Sequence, residues 1–287
     1  VKIVGKVKEA KQAPGWFEVS VAELLGLSVA DPELPIPVIT KGENEETEAP
    51  IRFDYRWIDL RKPEKAKIFK IWTELEKGFR KYWDEENYIQ LYPPNFLETQ
   101  SESGAEVFTV NYFDRKAFLP QSPQFYKQMA MASGFEKVFM VAPVFRAEPS
   151  FTTRHLTEYT GWDFEISYIN SHEDVMNEEE GMIISGFKSV LAKFPDLDVE
   201  IPSRPFPRMT MMEAKKILAK IGVESGEERD LSPEEERAIS EYVKKNTTTI
   251  LFSSPNIINQ RALFIICVWK RGVIGREELI CFIADWK

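Results

Sequence analysis

Apolar residues recur at helical spacing from Ile68 through Ile71, Trp72, Leu75, Phe79, Tyr82 and Trp83. Pro63 precedes them at a position suited to a first helical turn, so the pattern predicts an amphipathic helix from Pro63 to about Asp84. A short apolar run, YIQLY, reads as a strand that stops at Pro93-Pro94. Glu102 to Ala105 read as a polar loop, Pro123 to Ser133 as a helix and Val138 to Phe145 as a buried strand. Over residues 158–168 the period changes to two. Tyr159, Asp163, Glu165 and Ser167 then share one face of a strand, and Trp162, Phe164, Ile166 and Tyr168 the other. Ser171 with Asp174 makes a capping signature for a helix whose inner face carries Val175, Ile183, Phe187, Val190 and Leu191. Strands and helices do not alternate regularly. The expected class is therefore α+β with an antiparallel sheet, not a doubly wound fold.

Ahead of this domain, residues 1–10 and 16–21 are β-rich and are separated by the turn signal KQAPG. Two strands cannot stand alone, so they read as an appendage or part of another domain. The Pro-rich, acidic stretch from PELPIPV to ENEETEAP reads as a linker. Composition adds bounds. At 287 residues, 43% hydrophobic and 29% charged, the chain reads as globular. A net charge of −9 argues against holding nucleic acid by bulk charge, while leaving a local basic patch open. The longest apolar run, Ala262 to Trp269, is too short to span a bilayer, and no leader pattern opens the chain. Two cysteines exclude a disulfide scaffold, so a cytoplasmic, reducing setting is expected. Both lie in the last 41 residues, where five Lys+Arg meet three acids; that tail is +2 and the rest of the chain −11.

The segment richest in chemistry is VFRAEPSFTTRHLTEYTGWDFE, residues 144–165. It reads as a strand ending in Arg146, a Thr-rich loop with Glu148, Arg154 and His155, and a strand bearing Glu158, Tyr159 and Asp163. A guanidinium at a strand end suits a phosphate or carboxylate, a neighbouring aromatic suits a flat base, and a carboxylate accepts from an exocyclic amine. A surface ion-pair network explains the same spacing about as well.

Resemblance separates the two readings. FRAEPSFTTRHLTEYTGWDFEI resembles motif 2 of class II aminoacyl-tRNA synthetases, specifically the aspartyl enzymes of archaeal and eukaryotic type. PQSPQFYKQMAMASGFEKVF is similar to that family's amino-acid-binding segment, and FDYRWIDLRKP to its entry into the catalytic domain. PSRPFPRMTMMEA and ERDLSPEEER resemble later family stretches, and the opening strands the end of an anticodon-binding OB-fold. The resemblance implies four regions: 1–45, the end of the OB-fold; 46–62, a hinge; 63–246, a partial catalytic domain; and 247–287, an off-pattern tail. It implies ATP as substrate with Mg2+, L-aspartate and tRNA(Asp) as further substrates, a homodimer and no membrane. Arg146 would hold the α-phosphate, Glu148 and Tyr159 would bracket adenine, and His155 and Glu158 would lie near the phosphates and the tRNA end. Ser122, Gln124 and Lys127 would line the aspartate pocket, with Lys127 taking the side-chain carboxylate. Glu102 would close over the amino group that Asp163 fixes. Lys127 on a helix and Glu102 in a loop are otherwise ordinary solvated charges. His172, at a helix start outside any motif, reads as structural.

The tail departs from the family, which should supply its metal carboxylates and arginine-bearing motif 3 after residue 245. Codons begun at the third base of those used here allow RPFYYM from Arg261–Cys267 and DMLYRGLE from Leu279–Lys287. Both resemble family motifs, and the Asp and Glu of the second match the family's magnesium ligands. The expectation is a frameshift near Asn246 to Leu251, with no metal ligands in this chain and weak or absent activity. Divergence of the tail in a repurposed paralogue is the alternative. An asparaginyl synthetase or asparagine-making paralogue, and a non-catalytic remnant that binds ATP or a tRNA end, are the functional alternatives.

Overall fold

β-Branched residues at the start of the chain form a two-stranded antiparallel hairpin, β1 (Lys2–Glu9) with β2 (Phe17–Leu25), across the predicted turn. The computed structural model describes residues 1–39, 47–100, 106–147, 156–223, 231–246, 254–256, 261–269 and 279–286, the last three segments as backbone. The expected hinge carries two short helices, α1 (Ala49–Asp54) and α2 (Arg56–Asp59). They turn about the buried carboxylate of Asp59, which meets Arg56 Nη1 at 2.9 Å, Lys62 Nζ at 3.4 Å and Arg52 Nη1 at 3.8 Å. Residues Val1–Ala66 and Lys67–Lys287 form two units.

Helix α3 (Pro63–Glu85) follows the predicted stripe, but only its later part is covered: Phe79 and Trp83 are buried, whereas Trp72 is 49% exposed. After it come β3 (Ile89–Leu91), the hairpin β4 (Thr109–Tyr112) with β5 (Arg115–Phe118), α4 (Gln124–Ala132), β6 (Lys137–Phe145) and β7 (Glu158–Ile166). The central sheet runs β3-β6-β7. β6 and β7 are antiparallel as expected, while β3 joins β6 in parallel. A parallel edge needs a long return, and the β4–β5 hairpin with α4 supplies it.

One face of this sheet carries the core. Trp162 and Phe164 of β7 meet Phe79 and Trp83 of α3 at centroid distances of 5.3 and 5.0 Å. Helix α5 (His172–Lys193) closes the same core with Met182, Ile183 and Phe187. Its predicted cap is present: the Ser171 hydroxyl accepts from the Glu173 amide at 3.2 Å, and Asp174 Oδ2 accepts from the Ser171 amide at 3.2 Å. Ser171→Ala should therefore lower unfolding free energy by about 1 kcal/mol, readable by denaturant titration. Of the predicted inner face, Val175, Ile183, Phe187 and Val190 are buried and Leu191 is half-buried.

α3 and α5 cross closely at Gly78 and Gly186. The Ser185 hydroxyl donates to the Gly78 carbonyl at 2.8 Å, and a Cβ on Gly78 would lie 2.5 Å from Gly186 Cα. A smaller core under α6 (Met211–Lys220) and α7 (Pro233–Asn246) gathers Leu218, Leu231, Ile239 and Val243, with Lys215 paired to Glu235 at 2.7 Å. The tail contributes a separate antiparallel sheet of β8 (Ser254–Asn256), β9 (Arg261–Trp269) and β10 (Leu279–Trp286), in which Cys267 and Cys281 are register partners. Among the described residues no helix is long and apolar enough to cross a membrane.

Candidate active site

Alternation along β6 and β7 gives the sheet face away from the aromatic core apolar side chains from β6 and polar ones from β7. Register pairs Val144 with Tyr159, Met140 with Asp163 and Val138 with Glu165, so these residues share that second face. Arg146 continues the ladder one step past β6, its amide donating to the Thr157 carbonyl at 3.0 Å. The same alternation brings half-buried Arg146 to the Tyr159 side. Glu158 is exposed at the outer end of β7 and falls on the opposite alternation.

Helix α4 supplies the other wall. Its approach is a tight turn in which Ser122 Oγ accepts from the Gln124 amide at 3.3 Å. The buried Gln121 side chain, which the motif contains but the sequence reading does not single out, donates to the Glu106 carbonyl at 3.3 Å. The Phe145 amide donates to the Pro120 carbonyl at 2.8 Å, which ties this turn to the strand end that carries Arg146. One turn into α4, Lys127 is 2% exposed, not solvated like an ordinary helical lysine.

Its ammonium hydrogen-bonds Asp163 Oδ1 and lies 3.4 Å from Glu165 Oε2. Burial alone would lower the Lys127 pKa, but Asp163 and then Glu165 outweigh it and hold the value above that of a free lysine. Burial pushes the Glu165 carboxyl up; Lys127 opposes this and Asp163 adds to it. The structure thus joins Lys127 and Asp163, which the sequence assigns to opposite ends of one substrate. It also adds Glu165, whose place on the Asp163 face was legible but whose partner was not.

Glu102, Glu148 and His155 lie outside the described residues. Among the described residues no group of three or more His, Cys, Asp or Glu is placed to hold a metal ion. His172 is the first residue of α5, away from these groups in the chain.

An arginine at a strand end, a ring beside it and a buried lysine facing carboxylates suit an anionic, base-bearing ligand together with a small charged one. Residues 48–265 match the family model described as tRNA synthetases class II (D, K and N). The chain belongs to this family. The aspartate–tRNA(Asp/Asn) ligase of Archaeoglobus fulgidus is 38% identical over 238 residues, 81% of this chain and 54% of that protein. The ligase of the same name from Aeropyrum pernix is 40% identical over 252 residues, 84% of this chain and 56% of that protein. This class II synthetase chain thus spans about half the length of the curated relatives it matches. Asparaginyl-tRNA synthetase from Pyrococcus horikoshii, complexed with asparaginyl-adenylate, superposes with a TM-score of 0.76 at 30% identity, over 88% of this chain and 57% of that one. The α+β class II fold is thereby shown. The family match passes residue 246, runs to 265 and leaves 266–287 outside.

Proposed function

We propose that this synthetase chain is the central part of an aspartate–tRNA ligase, which joins L-aspartate to ATP as aspartyl-adenylate and passes it to tRNA(Asp). The observation that carries this reading is the buried Lys127 ammonium beside Asp163, in a chain 38% and 40% identical to ligases named for aspartate. The aspartate α-carboxylate attacks the α-phosphorus of ATP, pyrophosphate leaves, and the tRNA 3′ hydroxyl then takes the aspartyl group. No covalent enzyme intermediate is required; the protein orients the reactants and offsets developing charge.

In this reading Arg146 pairs with the α-phosphate, Tyr159 stacks on adenine with Glu148, and His155 and Glu158 serve the phosphates and the tRNA end. Ser122, Gln124 and Lys127 line the amino-acid pocket, Asp163 orients the amino group and Glu102 closes the loop above it. Residues 1–45 are the end of an OB-fold, 46–62 the hinge, 63–246 part of the catalytic domain and 247–287 an off-pattern tail from a frameshift. Nucleotide sequence lacking family motifs in the neighbouring frame would overturn that origin. A homodimer through α3 is supported by the exposed Phe69 and Trp72, which meet edge to face at 5.3 Å.

The asparaginyl reading is favoured by the Pyrococcus horikoshii structure, whose ligand is asparaginyl-adenylate. A buried lysine favours a carboxylate side chain instead. ATP–pyrophosphate exchange tests both. With aspartate the chain should exchange at least about a hundredfold more slowly than a full-length relative, because transition-state contacts of the expected motif 3 are lost. A rate matching the relative contradicts the impaired reading, and exchange driven by asparagine in preference to aspartate contradicts the aspartate reading.

A further inference from the structure

The tail sheet sets the two cysteines of the chain against each other. β9 and β10 are antiparallel, and Cys267 and Cys281 stand at one position of their register, between the pairs Ile266–Phe282 and Val268–Ile280. Directly opposed positions of an antiparallel pair lie on one face of the sheet, with Cα atoms about 4.5–5.5 Å apart. A disulfide spans about 4.4–6.8 Å between Cα atoms, so this register meets the backbone requirement of the bond. The apolar pattern alone specifies the register weakly. Leu263, Ile265 and Trp269 share the Cys267 face of β9, while Ala262, Phe264, Ile266 and Val268 share the other, so both faces are rich in apolar residues. A slip by one residue would exchange the faces with little change in that pattern, and it would put the two cysteines on opposite faces.

We infer that Cys267 and Cys281 are a covalent modification site: their opposed placement in the β9–β10 register makes them an intrachain dithiol that oxidised glutathione converts to a disulfide, locking the two strands in register. The inference stands apart from the aspartate reading and does not depend on it. The step is thiol–disulfide exchange. The thiolate of one cysteine attacks a sulfur of oxidised glutathione, a mixed disulfide forms, and one glutathione leaves as a thiolate that takes up the released proton. The second cysteine attacks the protein sulfur of the mixed disulfide, the Cys267–Cys281 bond forms, and the second glutathione leaves in the same way. Two protein thiols are oxidised and one glutathione disulfide is reduced to two thiols. The exchange is reversible, so the pair is a dithiol in a reducing setting and a disulfide in an oxidised one.

Trypsin gives the readout, because Lys270, Arg271 and Arg276 separate the two cysteines in sequence. The full chain is equilibrated with oxidised glutathione, its remaining thiols are alkylated, and the tryptic digest is read by mass spectrometry without reductant. The peptides ALFIICVWK (262–270) and EELICFIADWK (277–287) should appear joined, lighter by two hydrogens than their sum. Non-reducing electrophoresis should show the oxidised chain as a monomer. In concentrated urea, where no register exists, the same linkage should require at least about tenfold more oxidised glutathione. Cys267→Ser combined with Val268→Cys moves the thiol one register step, opposite Ile280 and onto the other face from Cys281. That change should cut the linkage at least about tenfold.

Both cysteines alkylated after treatment, each carrying glutathione without joined peptides, or joined peptides found only in a covalent dimer overturns the proposal. Linkage that forms as readily in urea as in native buffer, or as readily in the shifted variant as in the wild type, removes the register as its cause and overturns it equally.

Discussion

Lys127→Met is expected to cost about 3 kcal/mol of stability and to erase the preference for aspartate over asparagine. Removing one member of a buried ionic cluster leaves its partners without compensation, which typically costs about 3–5 kcal/mol. Here the partners are two carboxylates, one of them hydrogen-bonded to the lysine. With the ammonium gone, the Glu165 carboxyl, already raised by burial, moves further up. A folded-state pKa above the unfolded one means that the folded form binds the extra proton. The variant should therefore be least impaired near the unfolded carboxylate pKa and lose stability as pH rises above it. Urea titrations at pH 5 and pH 8 check this, and a cost independent of pH contradicts it. Loss of the cation should also weaken aspartate by about 2–3 kcal/mol, roughly thirtyfold to a hundred-and-fiftyfold, and asparagine far less.

Gly78→Ala should be strongly destabilising, because it meets backbone on the facing helix. The added Cβ would lie 2.5 Å from Gly186 Cα and 2.5 Å from the Ser185 carbonyl oxygen, both backbone. Neither can swing aside, so α3 and α5 must separate. The Ser185 hydroxyl bond to the Gly78 carbonyl and the aromatic packing of Phe79 would be disturbed with them. Overpacking of this kind costs about 1–3 kcal/mol and occasionally more. A loss of about 3 kcal/mol is expected here, visible as a lower midpoint in thermal or denaturant unfolding. A midpoint within experimental error of the wild type would show that the helices do not cross at these glycines.

Local signals in the sequence located most elements. Pro63 starts α3, the Ser171–Asp174 pair caps α5, and period-two spacing from Tyr159 to Ile166 marks β7 and its two faces. Non-local facts were hidden. Nothing near Ile89–Leu91 says that β3 returns in parallel to β6, because that depends on the intervening hairpin and helix. Trp72 belongs to the apolar stripe yet is exposed, since periodicity reports which face is apolar and not whether this chain covers it. Gly78 and Gly186 look like weak points of separate helices until their crossing is seen. The site divides in the same way. Arg146, Tyr159, Lys127 and Asp163 become candidates through motif resemblance, whereas the triad of Lys127, Asp163 and Glu165 required knowing where α4 crosses the sheet.

The central claim is that the face shared by β6, β7 and α4 binds an aminoacyl-adenylate and selects its side chain at Lys127. Calorimetric binding of a non-hydrolysable aspartyl-adenylate analogue and its asparaginyl counterpart at pH 6 tests it most directly. The account predicts that the aspartyl analogue binds at least about tenfold more tightly, and that Arg146→Ala and Lys127→Met each weaken it by about a hundredfold. Equal binding of the two analogues, or aspartyl binding indifferent to both substitutions, would contradict it.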